Sequence, residues 1–261
     1  MNTTTPCWRR ILCISWAWNG RLNEIDLYPA ISSLFLLAVG LLQNFTAIGQ
    51  EHIPVFPALE GAALIDAMHD EFEPSDYLTY SDARDTLFAR IYAIDDSLSG
   101  IFTDHSLYLD PALDPTQAAF MDGSPDGINT EHLWPQSEGA GEPPARMDMH
   151  NLYPARVQVN TDRANLPFLE IDDQETEEWY FKNQSMTTIP NVGIDRYSER
   201  SETAFEPRET IKGDVARTMM YFRVIYRDVA NLNFFEFQRE TLCNWHIDDP
   251  VDSLEWAQNA L

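Results

Sequence analysis

The sequence predicts a single α+β domain, with helices at both ends of a loop-rich, weakly stranded centre. Three observations predict it. Apolar residues recur at helical spacing before residue 95 and again after residue 213. Between Pro111 and Pro207 the chain is rich in Pro, Gly, Asn and Asp, which favour turns and short strands. The 261 residues are 44% hydrophobic, and 7 Trp, 10 Tyr and 14 Phe supply a core that a disordered acidic chain would lack.

The first segment has the character of an export leader. "SLFLLAVGLL" (Ser33 to Leu42) is apolar but shorter than the roughly 20 residues of a membrane-spanning helix. Arg9, Arg10 and Arg21 precede it, and Ala47-Ile48-Gly49 offers a small-residue cleavage site before Gln50. Glu24, Asp26 and the long upstream stretch depart from the usual pattern. The expectation is a leader over 1–49, one domain over 50–261, and a secreted protein, extracellular or periplasmic, with no membrane attachment once mature.

Helices follow. Leu59, Ala63, Leu64, Ala67 and Met68 line one face of "ALEGAALIDAMHDEF". Ser81 is the expected N-cap of "SDARDTLFARIYAI", with Leu87, Ile91 and Ile94 along one side. "SGIFTDHSLYLDP" predicts a hairpin with His105 solvated at its turn. "MHNLY" predicts a strand, and Pro154 the first turn of a helix through "PARVQVNTDRAN". "GDVARTMMYFRVIYRDV" predicts an amphipathic helix with Val215, Met219, Phe222 and Tyr226 inward. "NFFEFQRETLCNWH" and "DPVDSLEWAQNAL" predict two more. Of Cys7, Cys13 and Cys243, no two form a CxxC pair, and Cys243 is expected to be a small buried apolar residue.

The chemistry concentrates in Asn129 to Phe168, "NTEHLWPQSEGAGEPPARMDMHNLYPARVQVNTDRANLPF". Buried polar groups need partners, so ordinary core segments avoid such a density of acids, amides and arginines. A phosphodiester hydrolase needs a hard divalent cation at the phosphate, a base to activate water, and an Arg to hold developing charge. Glu131, His132, Asn160 and a nearby Arg supply that set, and oxygen ligands suit magnesium or calcium better than zinc. Glu131 and His132 would point to opposite faces of a regular strand, so the strand must end or twist there; Pro135 marks the place. Asn160 and Arg163, three apart on a helix, are neighbours on one face.

"TEHLWPQS" followed by "DMHNLYPARVQVNTDRANLPF" resembles the endonuclease I family, as do "FEPRETIKGDVARTMMYF" and "NFFEFQRETLCNWHIDDPVD". Together they cover most of the chain from about Tyr80. The resemblance implies a ββα-metal (His-Me finger) core flanked by helices. It implies a secreted endonuclease that cuts DNA, and RNA as well, with little sequence preference, leaving 5′-phosphate and 3′-hydroxyl ends and acting as a monomer. Carried onto this sequence, it makes Glu131 and Asn160 the protein ligands of one divalent ion, Mg²⁺ or else Ca²⁺ or Mn²⁺. It makes His132 the general base, with one ring nitrogen bonded to a backbone carbonyl on the facing strand. It makes Arg146 the phosphate-stabilising cation; the interval Ser137 to Met147 that carries it is shorter than in many relatives.

The remaining polar residues carry plainer expectations. Asp148, Asn151 and His150 are expected to support the fold, and Asp162 and Asn165 to cap the helix or orient Asn160. Arg163 and Arg217 are candidates for substrate phosphates, with Arg208, Lys212 and Arg223 completing a sparse basic cluster. Trp134 and Trp245 could stack on bases but fit better as buried rings. The competing class, a nuclease-like binding module without catalysis, would be expected to lack His132 or Asn160. No HExxH is present, which disfavours a metallopeptidase. Residues 1–50 contribute a net +1, so the rest of the chain carries −26. A polyanion-binding enzyme so charged is expected to suit a saline setting, where repulsion is screened.

Overall fold

The computed structural model describes residues 55–252 and Glu255. The leader, Cys7, Cys13 and most of "DPVDSLEWAQNAL" lie outside the described residues. None of the described helices is long and apolar enough to cross a membrane.

Helix α1 (Gly61–Phe72) forms where the spacing predicts it. Helix α2 (Tyr80–Thr86) is capped by Thr79, whose hydroxyl accepts from the Asp82 N–H at 3.2 Å. Ser81 therefore lies inside the helix: Thr79 is extended and reaches the free N–H groups first. The chain continues through a π-helical turn, Leu87–Tyr92. Strands β1 (Ala93–Ile94), β2 (Ser97–Ser99) and β3 (Ser106–Tyr108) form a small antiparallel sheet. Asp95 and Asp96, both at positive φ, make the tight turn between the first two. His105 is buried, contrary to the solvated turn expected; its Nε2 bonds the Asp126 carbonyl at 2.6 Å.

After α3 (Pro115–Ala119), β4 (Ile128–His132) pairs antiparallel with β5 (Leu152–Arg156), Glu131 opposite Tyr153 and His132 opposite Leu152. "MHNLY" is split: Met149–Asn151 is a 3-10 turn and the strand begins at Leu152. Pro154 sits within β5, not in a helix. A two-stranded ribbon consists only of edges, so its missing N–H breaks no interior ladder. Helix α4 (Val157–Arg163) follows directly. Strands β6 (Glu178–Phe181), β7 (Gln184–Met186), β8 (Ser198–Arg200) and β9 (Phe205–Glu206) form a second sheet in the order β7-β6-β8-β9. The architecture is α+β with small antiparallel sheets, as the composition predicts.

Helix α5 (Lys212–Ile225) departs from the amphipathic expectation. Of its 14 residues only Asp214 and Arg223 escape burial, because α1, α6 (Leu232–Asp248) and the turn before β5 pack around it. Its apolar residues join Trp134, Phe168, Phe205 and Phe235 in the main core. Trp134 stacks on Phe222 at 4.6 Å and on Phe235 at 6.2 Å, so the chain leaving β4 is nailed to α5 and α6. Both candidate base-stacking tryptophans are buried. Gly139 has φ +131 and a Cβ there would meet the Val229 carbonyl at 2.3 Å. Only glycine lets the turn after β4 lie this close to the α5–α6 connection. Cys243 is buried as expected.

Candidate active site

The site begins where β4 ends. Leu133 N–H still bonds the Asn151 carbonyl, but the next rung is made by a side chain. Asn151 Oδ1 accepts from Trp134 N–H at 2.7 Å, and its Nδ2 donates to the Trp134 carbonyl at 3.1 Å. Regular pairing thus stops just after His132, the last residue of β4. Asp148 pins the preceding turn to α5. Its carboxylate accepts from the Tyr221 and Tyr226 hydroxyls at 2.6 and 2.7 Å and from His150 N and Nδ1 at 2.9 Å. Burial alone would push its carboxyl up; the charge and hydrogen bonds of His150 and the tyrosines outweigh that and hold it low. Asp148, Asn151 and His150 all support the fold, although His150 lies in the turn and not in the strand.

Helix α4 turns two side chains toward β4. Asn160 Nδ2 donates to Asn129 Oδ1 at 2.8 Å and to the Thr130 carbonyl at 3.2 Å, so Oδ1 remains as an acceptor. One turn on, Arg163 Nη1 donates to Glu131 Oε1 at 2.9 Å and to the His132 carbonyl at 3.1 Å, and Nη2 to the Leu133 carbonyl at 2.7 Å. Glu131 is 3% exposed and Arg163 1%. Burial pushes the Glu131 carboxyl up to about 7, with Arg163 pulling the other way. Glu131, His132 and Asn160 line one open cavity of about 440 Å³, together with Gln136, Ser137 and Asn165.

His132 Nε2 lies 2.9 Å from the Arg146 carbonyl. A carbonyl can only accept, so Nε2 carries the proton and Nδ1 presents a lone pair, with Gln136 Nε2 at 3.4 Å. Burial lowers the imidazole pKa to about 4, and the charges of Arg146, Arg163 and Arg84 add to this. The carbonyl belongs to the 3-10 turn Ala145–Met147, not to the facing strand. The turn reaches His132 because Leu152, opposite it, is the first residue of β5 and the chain must climb past it.

Three of the four expected site residues share the cavity. Arg146 does not line it: its backbone holds His132 while its exposed guanidinium lies over the Tyr80 ring, 4.8 Å from the centroid. Tyr80 in turn stacks on the His132 ring at 5.8 Å. Asp162 and Asn165 do not orient Asn160. Asp162 accepts from Gln158 and the Tyr180 hydroxyl, and Asn165 reaches Ser137. Sequence reading missed Asn129 as the residue that aims Asn160, and Tyr80 altogether. Arg163 and Arg217 are not available to substrate. Arg163 is buried on Glu131, and Arg217 is held by Asp214, Glu255 and the Asp249 carbonyl.

The donor set fits a hard cation. A carboxylate and an amide oxygen line the same cavity, with room for water or phosphate oxygens in the other positions. Among the described residues no group of three or more His, Cys, Asp or Glu could hold a metal.

The chain matches the endonuclease I family over residues 67–261. It is 32% identical over 156 residues to an extracellular ribonuclease of Bacillus amyloliquefaciens, covering 53% of this chain and 47% of the relative. It is 33% identical over 149 residues to an extracellular ribonuclease of Bacillus subtilis (strain 168), covering 51% and 46%. The matches span about half the length of those relatives.

Proposed function

The chain belongs to the endonuclease I family, and from that premise we propose that it is a secreted, metal-dependent endonuclease hydrolysing DNA and RNA with little sequence preference. The observation that carries this reading is the convergence of Glu131, His132 and Asn160 on one cavity, with Nδ1 of His132 left as the acceptor. The names of the two Bacillus relatives support RNA as a substrate and export as the destination.

In this reading His132 takes a proton from water through Nδ1, while Nε2–H stays on the Arg146 carbonyl and fixes the ring. Tyr80 limits its tilt. Glu131 and Asn160 Oδ1 hold a divalent cation, magnesium, calcium or manganese; Arg163 and Asn129 keep those two oxygens aimed. When bound, such a cation supplies positive charge to stabilise the departing 3′ oxygen, which gives 5′-phosphate and 3′-hydroxyl ends. Arg146 stabilises the phosphate from outside the cavity, working as a monomer's own side chain. Binding is to the backbone, since no described element resembles a base-reading module.

A supercoiled plasmid and a single-stranded RNA, each with magnesium and with EDTA, test this. Cleavage of both that stops in EDTA is expected. Glu131→Ala and Asn160→Ala should raise the magnesium concentration needed for half-maximal rate. An unchanged magnesium dependence in both would refute the ligand assignment. A folded wild-type protein with no cleavage in magnesium, calcium or manganese would favour the binding-module reading.

A further inference from the structure

The cations of this protein divide by whether a carboxylate reaches them. Among the described residues Arg84, Arg90, Arg146, Lys182, Arg196 and Arg223 form no ion pair. Two of these six converge beside the candidate base. Tyr80 and Arg84, four apart on α2, share one helix face. Arg84 lies over the Tyr80 ring, 4.7 Å from its centroid, and Arg146 over the same ring at 4.8 Å. The ring stacks on His132, and both arginines are close enough for their charge to depress the imidazole.

A cation on a ring keeps its charge and its hydrogen-bond donors. Neither guanidinium donates a hydrogen bond among the described residues, and Arg84 Nε is shut off from water with no partner. That nitrogen is closed to a ligand, whereas Nη1 and Nη2 are not among the buried unpartnered atoms and remain as donors. Asp114 feels the Arg84 charge without pairing to it, because its carboxylate is spent on the Gln117 N–H and the Thr116 hydroxyl.

We propose that Arg84 is a second phosphate-binding cation of this site. With Arg146 it forms a two-arginine clamp on the phosphodiester backbone, built on Tyr80 as a platform next to His132. The inference rests on the nucleic-acid reading of the cavity. Its chemistry needs no sequence readout: two planar forks hold phosphate oxygens and position the backbone at the base. Tyr80 is a positioning residue, since its ring and not its hydroxyl does the holding.

The test measures binding without cleavage. A fluorescein-labelled 12-base-pair duplex is titrated in EDTA with the full chain, from 0.02 to 0.3 M NaCl, and read by anisotropy. Circular dichroism checks the fold of each variant. Arg84→Ala is expected to weaken binding about 10-fold, as for removal of a hydrogen bond to a charged group. Its plot of log affinity against log salt should be shallower by about 0.9, the value for one duplex phosphate no longer neutralised. Arg84→Lys and Tyr80→Phe should keep the wild-type slope, and Tyr80→Ala should lose it. Unchanged affinity and slope in folded Arg84→Ala would overturn the proposal. So would weaker binding with an unchanged slope, which marks a merely structural arginine, or an Arg84→Lys slope that equals that of Arg84→Ala. If Arg84→Ala fails to fold, Arg84→Gln takes its place under the same criteria. Because the assay contains no metal, its result stands apart from plasmid cleavage. Absent cleavage would remove the nuclease reading while leaving the clamp to be judged on the slope.

Discussion

Two groups of cations in this acidic protein meet opposite fates. Around the start of α5, Arg208 pairs with Asp104 at 2.9 Å, and Arg217 with Asp214 and Glu255. Lys212, 4% exposed, is surrounded by Glu170, Glu206 and Glu209. Beside β4, Arg84 and Arg146 rest on a tyrosine ring with no carboxylate partner among the described residues. In sequence the first group is the denser and the more suggestive of a polyanion site. In the fold it is spent on holding helices and loops together, and the sparse pair is the available one. Local density of Lys and Arg says little about binding; what matters is which acids the fold brings within reach.

The comparison can be broken from either side. The largest effect is expected at His132, the proposed base that the free pair flanks. His132→Ala should lower the plasmid cleavage rate by about 10²–10⁴. Its far-UV circular dichroism and urea midpoint should stay close to wild type. Near-normal cleavage by the folded variant would remove His132 from the chemistry.

The paired group should answer in stability instead. Lys212→Ala leaves Glu206 buried without its cation, and breaking such a pair typically costs about 3–5 kcal/mol. Urea unfolding at pH 7 measures this. Activity per folded molecule at low temperature should be retained, since Lys212 does not line the cavity. A loss below about 1 kcal/mol, or a lost rate with stability intact, would erase the contrast between the groups.

A smaller effect separates global from local charge. The net charge of −25 repels a polyanion over a Debye length that falls from roughly 30 Å at 0.01 M to about 3 Å at 1 M salt. Initial cleavage rates from 0.02 to 1 M NaCl, at fixed free magnesium, should persist or rise at moderate salt. A steep monotonic fall would show that local cation–phosphate contacts outweigh the global field.

The smallest effect concerns the surplus of acids near the paired group. Burial pushes the Glu199 carboxyl from its ordinary 4.5 up to about 7. The folded protein therefore holds this proton more tightly than the unfolded chain. The resulting stabilisation is complete below the unfolded value and is lost as pH rises through 7. Between pH 5 and 8 the wild type should lose melting temperature, and Glu199→Gln should lose less, by about 2–4 °C. Parallel curves for the two proteins would remove Glu199 as the source.

The sequence by itself determined the α+β class, most helices, and the set Glu131, His132 and Asn160. Those three are legible through the resemblance of "TEHLWPQS" and "DMHNLYPARVQVNTDRANLPF" to the endonuclease I family, with Asn160 and Arg163 sharing a helix face whatever surrounds them. The tertiary structure alone decided what each group is free to do. Arg163 is removed from substrate by Glu131, 32 residues earlier, and Asn160 is aimed by Asn129, 31 residues earlier. Arg146 holds His132 through a carbonyl, a role that no side-chain pattern encodes. Tyr80 and Arg84 come from a helix far upstream and meet the site through packing. Pro154 enters a strand because that ribbon is all edge, and α5 is buried because three elements close on it. Periodicity and motif are local properties of the chain. The partner that neutralises, aims or releases a polar group arrives from elsewhere in the sequence, and only the folded packing brings it there.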